Sequence, residues 1–327
     1  MDKQIVVFGY GAVGKAATAA MVKDGRRVLV AQRKLPADLV AGAAFQSTDV
    51  LDAEAVRSVV AKASQVVVAI GFEYSGKTWR TMWPRAMRNL VEACAASRVR
   101  MVFVDNLYMY GPQTEALRED MPLTNFGVKP ALRAEITRIW QAASHAGRVK
   151  VAALRAPDFY GPEVSLSHLG DVGFGAVAKR RTATLIIPPD TPHAFAYVPD
   201  IARGVTTLLG APDDAYGQAW HIPCAPLSTP RQILELGAQA IGQNLRLRSV
   251  PLWLLPAAGL VSPFLREVAE MRFTFDRPYE VDSRKFAGRF WGDATPFAIG
   301  AAQTARSFAD GALARQTGAS DASRVMP

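Results

Sequence analysis

The chain has 327 residues, 50% of them hydrophobic and 20% charged, as in globular proteins with two linked domains or one large domain and a smaller lobe. Its two cysteines, Cys94 and Cys224, exclude a disulfide framework, and no pair has the spacing of a zinc site. The formal net charge is +9, but the basic residues are scattered, which favours small anionic ligands over nucleic acid or a membrane surface.

Short apolar runs rich in β-branched residues predict strands at 4–8, 27–31, 65–70, 100–104 and 149–154. The first run is not preceded by a signal-peptide pattern. The longest apolar stretch, 250–265, contains three prolines and is too short to span a bilayer. Together with the cysteine usage, these features predict a cytoplasmic protein without a membrane partner.

Helical patterns lie between the predicted strands, at 12–23, 53–63, 78–97 and 130–146. Gly25 and Gly147 stand where left-handed caps would end the first and the last of these helices. Strands that alternate with helices of this length form right-handed βαβ units. The sequence therefore predicts an α/β fold with a doubly wound parallel sheet, a Rossmann fold.

The pattern becomes loop-rich after residue 160, and a smaller C-terminal substrate lobe is predicted there. We expect residues 1–162, together with 194–222, to form the Rossmann domain. Residues 163–193 and 223–315 would form the substrate lobe, and 316–327 a flexible tail. Within the lobe, Thr229, Pro230 and Gln232 predict a capped helix that runs to about Gly242.

A glycine-rich turn follows the first predicted strand and opens the first helix. It fits the pattern G-x-G-x-x-G of dinucleotide-binding proteins and consists of Gly9, Tyr10, Gly11, Ala12, Val13 and Gly14. Gly9 would permit the tight turn, Gly11 would let the backbone approach a pyrophosphate, and Gly14 would allow close helix–strand packing. The N-terminus of the helix would bind the anion.

The end of the second strand selects between the two nicotinamide dinucleotides. A carboxylate near residue 32 would hold the ribose of NAD, but the sequence there is Gln32-Arg33-Lys34. Arg33 and Lys34 can receive a 2′-phosphate, so the predicted cofactor is NADP(H).

Further residues are predicted to line the same cofactor. Asp49 and Val50 follow the next strand-like segment after Lys34, where Asp49 would reach the adenine. Asp52 is expected to cap the next helix instead. Ile70 and Gly71 end the next strand, where a small residue lets a cofactor pass.

The ordered motifs resemble the extended or atypical short-chain dehydrogenase/reductases, the NAD-dependent epimerase/dehydratase family. The resemblance covers roughly residues 3–310. Besides the glycine turn, three segments carry it: 104–112 (VDNLYMYGP), 154–162 (LRAPDFYGP) and 195–202 (FAYVPDIA). It implies an oxidoreductase acting on a small carbonyl or hydroxyl substrate. It also leaves open a homodimer formed through helices 78–97 and 130–146.

The family's catalytic serine or threonine, tyrosine and lysine are only partly present. Lys129 stands at the lysine position and would bind the nicotinamide ribose, whereas Asn125 replaces the tyrosine and Asn106 the serine. An asparagine can orient a carbonyl but cannot supply a proton. The proton could come from water or from another tyrosine, for which Tyr108 and Tyr74 are the candidates. For Tyr108, a packed aromatic residue beside the YGP turn is the favoured interpretation.

The remaining conspicuous residues are interpreted as structural. No histidine pair has a metal-ligand spacing, and His193 is taken as a loop residue, with a substrate contact as the alternative. Cys224 is interpreted as a buried residue that contributes to packing rather than as a nucleophile. Trp79, Trp83 and Met87 recur at helical spacing and predict a core or dimer face. If catalysis has been lost, the rival function is a non-catalytic NADP(H)-binding redox sensor or regulator.

Overall fold

The computed structural model describes the backbone of residues 4–322, and the side chains of these residues except 256, 258 and 312–322. The strands are β1 (Gln4–Phe8), β2 (Val28–Gln32), β3 (Ala44–Ser47), β4 (Ala63–Val68), β5 (Arg100–Asp105), β6 (Val151–Arg155), β7 (Asp158–Tyr160), β8 (Ala183–Leu185), β9 (Phe195–Tyr197), β10 (Gln218–His221) and β11 (Leu247–Ser249). The helices are α1 (Ala12–Lys23), α2 (Ala53–Val60), α3 (Gly76–Ser97), α4 (Lys129–His145), α5 (Gly175–Ala178), α6 (Val198–Gly210), α7 (Pro230–Ala240), α8 (Leu255–Val261), α9 (Pro263–Glu270), α10 (Arg284–Arg289) and α11 (Phe297–Ala322).

The main sheet has seven parallel strands in the order β10-β6-β5-β4-β1-β2-β3. Its central strands are buried along almost their whole length, as strands covered by helices on both faces must be. The predicted doubly wound Rossmann fold is confirmed. All five predicted strands are present, with ends shifted by at most two residues, and β3 and β10 are added at the two edges of the sheet.

The direction of winding reverses between β1 and β4. From β1 the chain proceeds outward to β2 and β3, and it then returns to β4 on the other side of β1. Ligands of doubly wound sheets bind beyond the carboxyl ends of the strands at such a reversal. The glycine turn follows β1 and the Ile70-Gly71 pair follows β4, so the topology brings both predicted cofactor segments to this point.

The helix ends follow from the local sequence. Gly25 and Gly147, just beyond α1 and α4, have φ angles of +74° and +68°, the left-handed conformation that their predicted capping role requires. The side chain of Thr229 accepts a hydrogen bond from the backbone N–H of Gln232 at 3.2 Å, and the Gln232 side chain accepts from the N–H of Thr229 at 3.0 Å. This reciprocal pair is the predicted capping box.

The described residues divide into two compact units. The first comprises residues 4–157, Pro199–Pro223 and Val281–Asp293, and contains the seven-stranded sheet. Trp79, Trp83 and Met87 belong to its hydrophobic core and are at most 5% exposed, so of the two predictions for this stripe the core is the one observed.

The second unit comprises Asp158–Val198, Cys224–Glu280 and residues 294–322. It has two small parallel sheets, β7 with β9 and β8 with β11, and a core of its own to which α7 and α11 contribute. Helix α11 continues to Ala322, within the segment predicted as a flexible tail, and residues 323–327 lie outside the described part of the chain.

Candidate nucleotide-binding and catalytic site

The three glycines of the turn differ in what surrounds them. Gly9 has a φ of +92°, and a Cβ there would lie 2.5 Å from the backbone oxygen of Ala69. A Cβ on Gly14 would lie 2.1 Å from the oxygen of Gly9. Neither position has room for a side chain. A Cβ on Gly11 would meet no atom within 4 Å, which leaves open space above the turn where a pyrophosphate would approach.

The N-terminus of α1 is suited to an anion. Gly11 is its N-cap residue and provides no side-chain hydrogen bond, so the first N–H groups of the helix remain for a ligand. The turn is also bonded to the end of β2, because the N–H of Tyr10 donates to Oε1 of Gln32 at 3.1 Å. The residues of the turn therefore fit the pyrophosphate of a dinucleotide.

The predicted selector residues are exposed at the end of β2. Gln32 is held there, since its Nε2 donates to the carbonyl of Lys34 at 2.8 Å. Ser47 Oγ donates to the carbonyl of Arg33 at 2.9 Å. These contacts fix the backbone and leave the side chains of Arg33 and Lys34 free to point outward. Within residues 4–322, no ion pair engages either cation, whereas nearby Lys15 is paired with Asp38 at 2.6 Å.

The other predicted cofactor residues occupy different surroundings. Asp49 is exposed, and its Oδ1 accepts from the N–H of Leu51 at 2.9 Å. Asp52 accepts from the first N–H groups of α2, which confirms its predicted capping role. The carbonyl of Val50 accepts from Asn89 Nδ2 at 3.0 Å. Half-buried Ile70 packs against the core. A Cβ on the following Gly71 would meet nothing within 4 Å.

Lys129 is fully buried at the first position of α4, and the structure brings it beside Tyr74. Its ammonium lies 5.0 Å from the centroid of the Tyr74 ring. Trp79 connects the two candidate tyrosines: it packs edge-on against Tyr74 at 5.7 Å and stacks with Tyr108 at 6.4 Å. The lysine and both alternative proton donors thus share one cluster.

The two asparagines are placed differently. Asn106 forms a tight turn after β5, in which its Oδ1 accepts from the N–H of Tyr108 at 3.1 Å. Its amide oxygen is therefore committed to the backbone, and its Nδ2 is the end that could donate to a substrate. Asn125 is exposed, and its Oδ1 accepts from Arg138 at 3.4 Å.

A buried ionic cluster lies beneath Asn106 and was not predicted. The Asp105 carboxylate accepts from Arg133 and from the N–H of Asn106 at 2.8 Å, and Arg155 Nε lies 3.7 Å from its second oxygen. The three charged side chains are at most 4% exposed. The available sequence signal was an aspartate ending β5 and an arginine ending β6, which are direct neighbours in the sheet.

A hydrogen-bonded chain extends from this cluster. Arg155 donates to the Tyr110 hydroxyl, which lies 2.8 Å from His221 Nε2, and His221 Nδ1 lies 3.1 Å from the carbonyl of Asp282. The contacts fit a neutral imidazole that donates from Nδ1 and accepts at Nε2. Burial, and secondarily Arg155, lower the pKa of His221 to about 3, and burial raises the pKa of Tyr110 to about 12.

In the second unit His193 lies in the loop between β8 and β9, as predicted, and it is buried. It is 2% exposed, stacks on Tyr279 at 5.0 Å, and contacts Asp158 at 2.9 Å through Nε2. Burial opposes the charge of Asp158, but His168 and the hydrogen bond from His193 hold the pKa of this carboxyl below its usual range. Among the described residues no cluster of histidine, cysteine and acidic residues could hold a metal ion, and Cys224 is half-buried.

The fold and the glycine turn define a dinucleotide-binding Rossmann protein. A model of the NAD dependent epimerase/dehydratase family matches residues 5–222. The chain belongs to this family, whose members are enzymes. No curated protein matches the sequence. Within the described residues no helix is long and apolar enough to cross a membrane.

Solved structures agree with the fold. The UDP-glucose 4-epimerase of Thermus thermophilus, in complex with NAD, is 19% identical with a TM-score of 0.74 over 93% of this chain and 98% of that one. The dTDP-glucose 4,6-dehydratase of Bacillus anthracis, in complex with NAD, is 14% identical with a TM-score of 0.75 over 94% and 97% of the two chains. At such identities the similarity establishes the architecture and not the substrate.

Proposed function

We propose that this protein is an NADP(H)-dependent oxidoreductase that acts on a small carbonyl or hydroxyl substrate with an altered set of catalytic residues. The observation that carries the cofactor assignment is the exposed Arg33-Lys34 pair at the end of β2, without a carboxylate at the selector position. A guanidinium can bind phosphate oxygens through two hydrogen bonds, and the adjacent ammonium adds a second positive charge.

The residues fit the cofactor as follows. The glycine turn and the α1 N-terminus would hold the pyrophosphate, and Arg33 with Lys34 the 2′-phosphate. The adenosine would be bordered by Asp49 and Val50. The path of the cofactor beyond β4 would be lined by Ile70 and Gly71, and Lys129 would hold the nicotinamide ribose. The bound nicotinamide supplies or accepts hydride. The Nδ2 group of Asn106 would orient the substrate oxygen, as an amide donor can.

The Arg33→Ala substitution tests the selector. We expect NADPH affinity to fall roughly tenfold to a hundredfold, the effect of losing a charge-assisted phosphate contact, and NADH affinity to change little. Titration of the purified protein with each nucleotide, followed by nicotinamide fluorescence, measures both. Lys62→Ala is the matched control, because Lys62 is an exposed cation that precedes β4 at the amino ends of the strands, whereas Arg33 follows the carboxyl end of β2. Equal loss of NADPH and NADH affinity would remove the NADP(H) assignment.

The glycines of the turn give a second test. Gly11→Ala should leave the protein as stable as before, since its Cβ meets no atom, but should weaken binding of both nucleotides at least tenfold. Gly14→Ala should instead lower the free energy of unfolding by about 1–3 kcal/mol through overpacking against Gly9. Chemical unfolding and the nucleotide titrations separate the two effects. Unimpaired binding by Gly11→Ala would mean that the open space above the turn does not receive the nucleotide.

A non-catalytic NADP(H)-binding sensor or regulator is the second candidate. It is favoured by Asn125, which stands where the family resemblance leads one to expect a tyrosine. Asn125 is exposed, and its side-chain oxygen accepts a hydrogen bond from Arg138. A steady-state screen of alcohols, aldehydes, ketones and nucleotide sugars discriminates between the two functions. NADPH turnover with any of them eliminates the sensor, whereas tight binding without turnover supports it. The homodimer and the cytoplasmic location stay predictions.

A further inference from the structure

We propose that Tyr74 is the acid–base residue of this protein, and that Lys129 prepares its hydroxyl for proton transfer. The inference rests on the proposed oxidoreductase function and names the group that replaces the absent tyrosine at position 125. Tyr74 lies outside the helix that carries Lys129, in the loop between β4 and α3. It would give a proton to a substrate carbonyl oxygen, or take one from a hydroxyl, when hydride is transferred.

The first support is the contact between Tyr74 and Lys129. The ammonium lies over the tyrosine ring, 5.0 Å from its centroid, within the range of a cation–π interaction. A nearby positive charge stabilises the phenolate form of a tyrosine, which is the form left after the proton has been given away. Lys129 is fully buried, and water therefore screens its charge less than that of a surface lysine.

The second support is the position of Tyr74 in the sheet. Its loop begins beyond the carboxyl end of β4, next to the strand reversal, and includes Gly71. Ser75, the next residue, caps α3 by accepting from the N–H of Thr78 at 3.4 Å. Tyr74 is thus held between a helix cap and the edge of Trp79, and it is only half-buried, so that a ligand can reach it.

The other candidates in the first unit fit less well. Tyr110 has its hydroxyl engaged by Arg155 and His221, and burial raises its pKa to about 12. Asn125 cannot donate a proton at neutral pH. Tyr108 stacks on Trp79, and its N–H closes the turn made by Asn106. The Lys129 ammonium lies over the ring of Tyr74, which places the buried cation beside this tyrosine.

The step balances in the direction of reduction. The carbonyl carbon of the substrate gains a hydride while its oxygen gains the Tyr74 proton, so the π bond of the C=O group is replaced by a C–H and an O–H bond and a C–O single bond remains. The two electrons that reduce the substrate would arrive with the hydride of bound NADPH. Solvent returns a proton to the phenolate, whose charge Lys129 compensates in the meantime.

The test is a pH titration of tyrosine ionisation in the full chain, followed by the ultraviolet absorbance of tyrosinate. We expect one tyrosine to ionise about 1–3 pH units below the ordinary phenol pKa of about 10. That transition should vanish in Tyr74→Phe, which removes one hydroxyl, and should move upward in Lys129→Met. Tyr216→Phe is the control, since burial raises the pKa of Tyr216 to about 12. The Tyr216→Phe variant should show the same low transition as the wild-type protein.

Two outcomes overturn the proposal: a wild-type protein without a low transition, and a low transition that survives Tyr74→Phe. Because the titration needs neither nucleotide nor substrate, it can fail while NADPH binding succeeds, and the reverse. With a substrate from the screen, Tyr74→Phe should lower kcat about 10²–10⁴-fold and leave NADPH affinity unchanged. Full turnover by Tyr74→Phe would also overturn it.

Discussion

The Asp105→Ala substitution should lower the free energy of unfolding by about 3–5 kcal/mol, a large part of the stability of a typical domain. The Asp105 carboxylate is the counter-charge of two buried arginines, Arg133 and Arg155. Its removal leaves two guanidinium groups in a protein interior without an anion. Arg133 would then face aromatic rings, of which Trp83 is the nearest at 4.3 Å.

Asp213 provides a matched control, because it too contacts two cations but does so at the surface. Lys150 hydrogen-bonds to it and Arg100 lies 3.5 Å away, with the aspartate side chain 62% exposed. Exposed pairs contribute about 0–1 kcal/mol, so Asp213→Ala should change stability little. Urea unfolding measures both variants. If Asp105→Ala fails to fold, Asp105→Asn keeps the shape of the side chain, and an effect no larger than that of Asp213→Ala would contradict the buried-charge argument.

Much of the fold could be predicted because it depends on local patterns. The glycine turn, the parallel strands and the caps at Gly25, Gly147 and Thr229 each follow from residues within a few positions of one another. The predicted strand over 65–70 lies at Ala63–Val68 instead. A polar Ser64-Gln65 pair interrupts its apolar run, but pairing with β1 and β5 extends the strand through it.

The candidate site could be predicted only in part, because its chemistry combines distant segments. The family resemblance implied that Lys129 stands at the lysine position and Asn125 at the tyrosine position, but it could not choose between Tyr74 and Tyr108. The distance of 5.0 Å between the lysine and the Tyr74 ring arises from the packing of α4 beside the β4–α3 loop. The role of His221 could not be predicted from the sequence either, because its hydrogen-bond partners Tyr110 and Asp282 come from other parts of the chain.

Acid should destabilise this protein through His221. Burial, and then Arg155, lower the pKa of His221 to about 3 in the folded state, whereas an unfolded histidine has a pKa of about 6.5. Between these values the unfolded state binds a proton that the folded state excludes. The free energy of unfolding therefore falls by about 1.4 kcal/mol for each pH unit below about 6.5, or about 2 kcal/mol by pH 5.

Comparison with His221→Gln isolates this effect. The variant should be the less stable protein near pH 7, where it loses the hydrogen bonds to Tyr110 and Asp282, but it has no imidazole to protonate. The stability gap between wild type and variant should therefore shrink by about 2 kcal/mol between about pH 7 and about pH 5. Tryptophan fluorescence during urea unfolding suits the measurement, since five of the six tryptophans lie in the first unit.

His145→Gln is the control, because it removes a histidine that is exposed at the end of α4 and lacks the burial that lowers the pKa of His221. A gap for His221→Gln that changes with pH no more than the gap for His145→Gln would show that the folded protein accepts a proton at His221 as readily as the unfolded chain. In that case His221 would not be the neutral acceptor of the Tyr110 hydroxyl. A gap that closes on acidification would assign the neutral state to the imidazole. It would also support the order of donors from Arg155 through Tyr110 to His221, since only a neutral ring can accept at Nε2.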